Sequence, residues 1–265
     1  MKEDSTAVVL FSGGADSSLA AILALEKHGN IILLTFESGY ELFIGRSCIM
    51  ADRLKDRYAY KSVTHKIIDN RDIFKLVIRN NLSYMRYLKS PGLLCSAERA
   101  AVYIRTTAFC LENRFKHVYD GSNCSQGQVA IPQMPDFLLI IKNFFQQYGI
   151  LYHTPIYEYK DLSEELLFEQ SLIKKSELYQ KGRLFFKDDS FLPLDIILGL
   201  WHKVRNKLHP FFFIETGLQL LGRLTRFKRY SQINKQRKIS EAKIYLMEKL
   251  EVGREYIKNY LFKEN

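Results

Sequence analysis

The chain has 265 residues, of which 47% are apolar, so it can bury a sizeable core as one large domain or as a domain with an appendage. No run of about 18 apolar residues is present, which argues against a membrane span, and the N-terminus lacks a signal-peptide pattern, so we expect a cytosolic protein. The four cysteines are too few and too scattered for a disulfide scaffold.

The net charge of +10 is unevenly distributed along the chain. Residues 201–265 contain 15 Lys and Arg against 6 Asp and Glu, whereas the first 200 residues are close to neutral. Such a basic segment indicates either a polyanionic partner or a solvated basic helical surface, and the count alone leaves both open.

Short apolar segments alternate with segments of helical periodicity over residues 1–175. The predicted strands are AVVLF (7–11), NIILLTFESG (30–39), VTHKIID (63–69), KHVYDGSN (116–123) and ILYHTPI (150–156). The predicted helices between and after them are 17–29, 41–59, 71–82, 96–115, 136–149 and 160–173. This alternation predicts an α/β fold: a doubly wound parallel sheet of about five strands. Residues 176–265 are predicted to form a basic helical C-terminal region of two to four helices.

The turn between the first strand and the first helix has an unusual composition, Ser12-Gly13-Gly14-Ala15-Asp16-Ser17-Ser18. Glycines allow backbone N–H groups to approach a ligand, serines add hydroxyl donors, and a helix N-terminus favours negative charge. The sequence matches neither a Walker A loop nor the G-x-G-x-x-G pattern of dinucleotide-binding folds. The turn therefore predicts a phosphate-binding site of another type.

The pattern S-G-G-x-D-S between a strand and a helix resembles the PP-loop ATP pyrophosphatase family. The resemblance implies binding of ATP and Mg²⁺, adenylation of a substrate oxygen, and release of AMP and pyrophosphate. It implies that the loop residues Ser12, Gly13, Gly14, Asp16, Ser17 and Ser18 bind the phosphates. Asp16 would also lie near the metal and act in catalysis, while Thr35 and Phe36 would hold the adenine.

Two later segments extend this resemblance. HVYDGSN resembles the fourth strand of the family, which commonly ends in G-x-N, and it makes Gly121 a nucleotide-binding candidate. The acidic residues that commonly follow are replaced here by CSQGQ. TPIYEYKDLSEEL resembles the segment in which a lysine reaches the phosphates, and Lys160 occupies that position.

The cysteines suggest which reaction the chain performs. Cys95 precedes a predicted helix and Arg99 follows one turn later, which favours a lowered thiol pKa. Cys124 follows the fourth strand and is expected at the same sheet edge. These features resemble ATP-dependent thiolating enzymes, in which a persulfide on one cysteine would be resolved by the other. Cys48 and Cys110 are expected in the core.

A second resemblance is open. SPGLLCSAERAAVY and QMPDF also resemble 7-cyano-7-deazaguanine synthases, which transfer nitrogen, although the C-terminal four-cysteine zinc cluster of those enzymes is absent. A non-catalytic nucleotide-binding subunit is a third hypothesis, favoured by the missing acidic pair. Thiolation would need a sulfur donor such as a cysteine desulfurase or another persulfide carrier.

The acceptor is predicted to be a tRNA or a small molecule. Arg226, Lys228 and Arg229 stand in the basic C-terminal region beside aromatic residues, and together with Arg99 they are candidate substrate-binding residues. Packing of the same aromatic residues in a helical core is the competing interpretation. A homodimer is compatible with the sequence.

Overall fold

The computed structural model describes residues 6–38, 44–78, 92–124, 133–159, 166–167, 172 and 232–263. Strands and helices alternate through these ranges. The strands are β1 (Thr6–Leu10), β2 (Asn30–Glu37), β3 (Ser62–Asp69), β4 (His117–Asp120) and β5 (Leu151–His153). The helices are α1 (Ala15–Lys27), α2 (Ile44–Arg57), α3 (Arg71–Ile78), α4 (Gly92–Glu112), α5 (Pro135–Gln146) and α6 (Gln232–Lys263).

The five strands form one sheet in the order β3-β2-β1-β4-β5, and every neighbouring pair is parallel. Strand β1 lies at the centre, where Val8 is in register with Ile32 of β2 and with Val118 of β4. Because all strands point the same way, their carboxyl ends meet at one edge of the sheet. That edge carries the loop before α1.

Alternating side chains of the strands build two separate cores. Ala7 and Val9 of β1 pack on one face with apolar residues of α1 and α2. Val8 and Leu10 pack on the opposite face, in what we call the second core, with residues of α3, α4, α5 and α6. A central parallel strand that is buried on both faces is apolar throughout, which is why AVVL shows no alternation of polar and apolar residues.

The described residues confirm the predicted fold class, a parallel five-stranded sheet with helices on both faces. In the C-terminal region, only α6 lies within the described residues, and its Tyr245, Leu246 and Leu250 contribute to the second core. The predicted helix 160–173 lies mostly outside them. The division at residue 175 stays a prediction. Among the helices described, none is long and apolar enough to cross a bilayer.

Candidate nucleotide-binding site

The loop between β1 and α1 leaves the sheet at its centre. Phe11 still belongs to the sheet's hydrogen bonding, because its N–H donates to the carbonyl oxygen of Leu34 at 2.8 Å. Gly13 has a φ of 72°, in the left-handed region that favours glycine. Gly14 returns to extended backbone and is the N-cap of α1, so the first amides of the helix follow directly.

Two serine hydroxyls hold this loop in shape. The N–H of Ser12 donates to Ser17 Oγ at 3.3 Å, and the two hydroxyl oxygens lie 3.2 Å apart. The N–H of Gly14 donates to Ser12 Oγ at 3.3 Å, and Ser17 Oγ donates to the carbonyl oxygen of Gly14 at 3.1 Å. The amides at the start of α1 are therefore held in a fixed arrangement, as a phosphate site requires.

The two glycines face different surroundings. A Cβ added at Gly13 would lie 2.6 Å from Ser47 Cα and 2.8 Å from the carbonyl oxygen of Arg46, so this glycine lets the loop pack on the start of α2. A Cβ added at Gly14 would meet only Ser12 Oγ, at 3.3 Å. Gly14 thus presents its open side away from the protein backbone, where a ligand can approach.

The loop after β4 packs directly against the start of α1. A Cβ on Gly121 would lie 2.6 Å from the backbone nitrogen of Ser17, so the predicted nucleotide-binding glycine is first of all a packing glycine. Asn123 Nδ2 lies 3.4 Å from Asp16 Oδ1, and its backbone N–H donates to Gln133 Oε1 at 2.9 Å. Asn123 thereby links the β4 loop to the helix that opens at the glycine turn.

Unpartnered hydroxyl groups lie at the same edge. Ser18 is fully buried and Ser122 is 1% exposed, and neither hydroxyl oxygen has a hydrogen-bond partner within the part of the chain that the structure describes. Buried hydroxyls without partners are uncommon in proteins, and they often mark a place where a ligand completes the hydrogen bonding. This observation fits a site for phosphate oxygens.

Behind the β4 loop, Asp120 is 2% exposed and lies at the centre of a polar network. Its Oδ2 accepts hydrogen bonds from the hydroxyls of Tyr103 at 3.0 Å and Tyr152 at 2.6 Å, and Arg99 Nη1 lies 3.6 Å from it. Burial raises the pKa of both tyrosines, and the carboxylate of Asp120 raises it further, so both remain donors. The network fixes the end of β4, from which Gly121 and Asn123 follow.

The predicted adenine-binding pair lies at the end of β2. The Thr35 hydroxyl lies 2.6 Å from the carbonyl oxygen of Phe11, to which it donates, and 2.9 Å from His65 Nε2. Its side chain is therefore engaged within the protein, and only its backbone is left for the predicted role. Phe36 is partly buried against the second core. Their adenine contacts stay a prediction.

The cysteines occupy three kinds of environment. Cys95 lies within the first turn of α4, because that helix begins at Gly92, four residues earlier than the sequence pattern suggested. Cys124 is partly exposed, and its N–H donates to the carbonyl oxygen of Tyr157 at 3.1 Å. Cys110 is buried as predicted, and burial raises the pKa of its thiol to about 12. Cys48 is partly exposed on α2, not fully buried as expected.

The remaining predicted site residues are the basic ones, and only one of them lies within the described part of the chain. Arg99 lies in α4 with its side chain one third exposed, and the charge beside it is Asp120. The predicted support of a Cys95 thiolate by Arg99 therefore competes with this ion pair. Lys160, Arg226, Lys228 and Arg229 lie outside the described residues, and their roles stay predictions.

A metal at this edge would depend on few protein ligands. Within the described ranges, no group of three or more His, Cys, Asp or Glu side chains is placed to hold a metal ion. Mg²⁺ is commonly bound by one or two carboxylates together with substrate phosphates. The Asp16 carboxylate in the first turn of α1 fits a Mg²⁺ ion that arrives with ATP.

The sequence pattern missed Asn123, Ser122 and the tyrosines that hold Asp120. Asn123 was part of the G-x-N match, but nothing in the sequence shows that a residue 107 positions beyond Asp16 contacts it. Tyr103 and Tyr152 stand in apolar segments and looked like core residues. The signal that could have found them is the single acidic residue, Asp120, at the end of a buried strand.

No known protein family matches the sequence, and no curated protein matches it. Two solved structures are similar in fold. One is a predicted subunit of a tRNA methyltransferase from Methanocaldococcus jannaschii, with 20% identity, a TM-score of 0.43, and coverage of 63% of this chain and 74% of that chain. The other is the U34-tRNA thiolase NcsA from Methanococcus maripaludis with its [4Fe-4S] cluster, with 19% identity, a TM-score of 0.44, and coverage of 83% and 72%. At such values, function has to be inferred from the residues of the site.

Proposed function

We propose that the chain is an ATP-dependent adenylating enzyme of the PP-loop type, which releases AMP and pyrophosphate and transfers sulfur to its acceptor. The observation that carries the proposal is the loop Ser12–Ser18: its amides and hydroxyls are held at the N-terminus of α1, and the open side of Gly14 faces away from the protein backbone. This arrangement suits a polyphosphate, and Asp16 beside it suits the accompanying Mg²⁺.

The reaction follows from what such a loop can hold. With the β- and γ-phosphates bound, a carbonyl oxygen of the acceptor attacks the α-phosphorus, the bond from this phosphorus to the bridging oxygen breaks, and pyrophosphate leaves with its charge stabilised by the loop amides. Mg²⁺ held by Asp16 would supply further charge stabilisation. The product is an adenylated acceptor. AMP is then a good leaving group for the second step.

In the proposed second step, the terminal sulfur of a cysteine persulfide attacks the activated carbon and AMP departs. A second cysteine thiolate then attacks the inner sulfur, which forms a disulfide and leaves one sulfur atom on the acceptor. Cys124 and Cys95 are the proposed pair. The location of Cys124 supports this, because it directly follows Asn123, whose amide contacts Asp16. A cellular dithiol would reduce the disulfide by thiol–disulfide exchange and become a disulfide itself. A persulfide donor would then reload the free cysteine.

The adenylation step is tested with Asp16→Asn. Asparagine keeps the size of the side chain but removes the charge that a metal needs, so we expect pyrophosphate release from Mg-ATP to fall by about 100-fold or more. Asp72→Asn is a matched control, because Asp72 is also the second residue of a helix that follows a strand. Wild-type turnover in Asp16→Asn, or ADP as the product, would disprove the adenylation chemistry.

The sulfur step is tested separately. After incubation with a sulfur donor, the intact mass should rise by about 32 Da, one sulfur atom, and the rise should be absent in the variant that lacks the loaded cysteine. Cys95→Ser and Cys124→Ser should bind ATP but lose product formation. If both variants keep full product formation, the transferred atom is not sulfur from these thiols, and ammonia-dependent nitrogen transfer becomes the better hypothesis.

A further inference from the structure

A surface groove beside β5 has no role in the proposed reaction. It has a volume of about 450 Å³ and lies along the edge strand of the sheet, between α5 and the end of α1. Its walls come from Lys27, Tyr119, Pro135, Leu138, Leu139, Lys142, Tyr152, His153, Thr154, Pro155 and Tyr157. This volume is in the range of small-molecule sites.

The charges in the groove have one sign. Lys27 ends α1 and Lys142 belongs to α5, so two separate helices contribute ammonium groups, and both side chains are exposed. Among the described residues, the lining contains no Asp or Glu. Asp120 is buried and accepts a hydrogen bond from the hydroxyl of the lining residue Tyr152 at 2.6 Å. The groove is thus an open positive surface that an anion would complement.

The two lysines also act on the pKa of His153, which lines the groove. The pKa of its imidazole is lowered to about 4, first by burial and then by the positive charges of His117, Lys27, His28 and Lys142. All four neighbouring charges act in the same direction. Among the described residues, the charged neighbours of His153 thus all oppose its protonation.

The remaining walls are aromatic and apolar. Tyr157 is partly exposed, and Pro155 and Pro135 line the groove beside it. Leu139 is 57% exposed there, a large apolar surface for an isolated helix position. A ligand that complements the whole groove has an anionic group that contacts the two lysines and a flat body that packs on the tyrosine, proline and leucine side chains.

We infer that this groove is a second nucleotide site, distinct from the ATP loop, which binds a nucleoside monophosphate unit with its phosphate between Lys27 and Lys142 and its base against Tyr157 and Leu139. The unit has two chemically equivalent sources, a free mononucleotide or one residue of a single-stranded RNA. The site does not depend on the proposed adenylation, because none of its lining residues belongs to the loop Ser12–Ser18.

The test uses the full chain and UMP, whose pyrimidine keeps it from acting as an ATP substitute. We expect calorimetric binding of UMP at low ionic strength, and a loss of affinity of about tenfold or more in the double variant Lys27→Gln/Lys142→Gln, because two charge-assisted hydrogen bonds are removed. Lys258→Gln, an exposed lysine of α6, is the control for overall charge.

A second variant tests the apolar wall. Leu139→Glu places a negative charge inside the groove and should abolish binding, whereas Ile244→Glu, at a helix position that is 58% exposed on α6, should leave it unchanged. The ring resonances of His153 should shift on addition of UMP to the wild type. They should not shift in the double variant.

A parallel titration identifies the source of the ligand. A short single-stranded RNA that binds more tightly than UMP and loses affinity in the same variants would assign the groove to an RNA strand, whereas exclusion of the RNA would assign it to free mononucleotides. UMP affinity that is undetectable at millimolar concentration, or equal in the wild type and both groove variants, would overturn the inference. Since Asp16→Asn leaves the groove intact, it should keep UMP binding whether or not the adenylation proposal holds.

Discussion

Gly13 and Gly14 are neighbours in the sequence, yet they meet opposite requirements. Gly13 needs a left-handed φ of 72° and allows the loop to touch the backbone of α2 at Ser47. Gly14 has a φ of −76°, which any residue can adopt, and its added Cβ would meet only a serine hydroxyl. From the sequence, both glycines were expected to make room for phosphates. In the structure Gly13 serves the packing of the loop on α2, whereas the role of Gly14 beside a phosphate stays a prediction.

The two alanine variants should therefore separate stability from binding. Gly13→Ala should lower the free energy of unfolding by about 3 kcal/mol, because the left-handed backbone and the contact with Ser47 are both strained. Gly14→Ala should cost less than about 1 kcal/mol, the loss of a favourable N-cap residue, yet should weaken ATP binding strongly. Urea unfolding and calorimetry with ATP measure the two effects. Normal ATP affinity in a folded Gly14→Ala protein would show that the loop is not the phosphate site.

At the level of elements, the apolar periodicity predicted the order of strands and helices. The central strand β1 is buried on both faces, helices such as α2 bury one face, and the edge strand β3 is largely exposed yet apolar enough to be recognised. Helix starts were predicted less well: α4 begins at Gly92, four residues before the predicted position, although Ser90 and Pro91 in the sequence are a pair typical of a helix start. The pairing of Asp16 with Asn123 depends on β1 and β4 being sheet neighbours. No local pattern shows that β4, and not β3, lies beside β1.

The packing of α6 on α4 depends on one glycine. A Cβ on Gly253 would lie 2.3 Å from Ile104 Cγ1 and 2.4 Å from its Cδ1, and Ile104 is fully buried, so its side chain has little room to move. We expect Gly253→Ala to destabilise the protein by about 1–3 kcal/mol, although alanine is the better helix former. Gly45→Ala, a helical glycine with open space, is the control and should be neutral or stabilising.

A double-mutant cycle identifies the cause. In the Ile104→Ala background the colliding atoms are absent, so Gly253→Ala should lose most of its cost, with a coupling of about 1 kcal/mol or more. An equal cost in both backgrounds would mean that α6 does not pack on Ile104 as described. The cycle is read from urea unfolding curves at constant pH.

For the whole molecule, the described sheet places three histidines together at the β4–β5 side. His117 Nδ1 lies 3.2 Å from His153 Nε2, and the His28 and His117 rings are 4.9 Å apart between centroids. His28 Nε2 is 3.0 Å from the Tyr119 hydroxyl, and the Tyr119 ring stacks on His153. Together with Lys27 and Lys142, these neighbours oppose the uptake of a proton by His153.

The stability of the fold should consequently fall as the solution becomes acidic. His153 titrates near 6.5 in an unfolded chain, whereas burial and its positive neighbours lower its pKa to about 4 in the folded protein. The unfolded state therefore binds the proton more readily, so the stabilising contribution is complete above pH 6.5, declines as the pH falls below it, and is exhausted near pH 4. For these two pKa values the linkage gives a loss of about 2 kcal/mol between pH 7.5 and pH 5, and because the side chain is only partly buried we expect about 1 kcal/mol.

His153→Gln removes this titration while keeping a polar side chain of similar length. Its free energy of unfolding should be lower than that of the wild type at about pH 7.5, because contacts with Tyr119 and His117 are lost, but the difference should shrink by about 1 kcal/mol at about pH 5. His65→Gln is a comparison across the sheet on β3, where burial and then Lys55 also lower the pKa of the imidazole, so a pH effect of the same sign is expected there. A constant difference between His153→Gln and the wild type at both pH values would show that His153 takes up its proton equally in the folded and unfolded chains, and that the positive potential at β5 is neutralised by some other part of the protein.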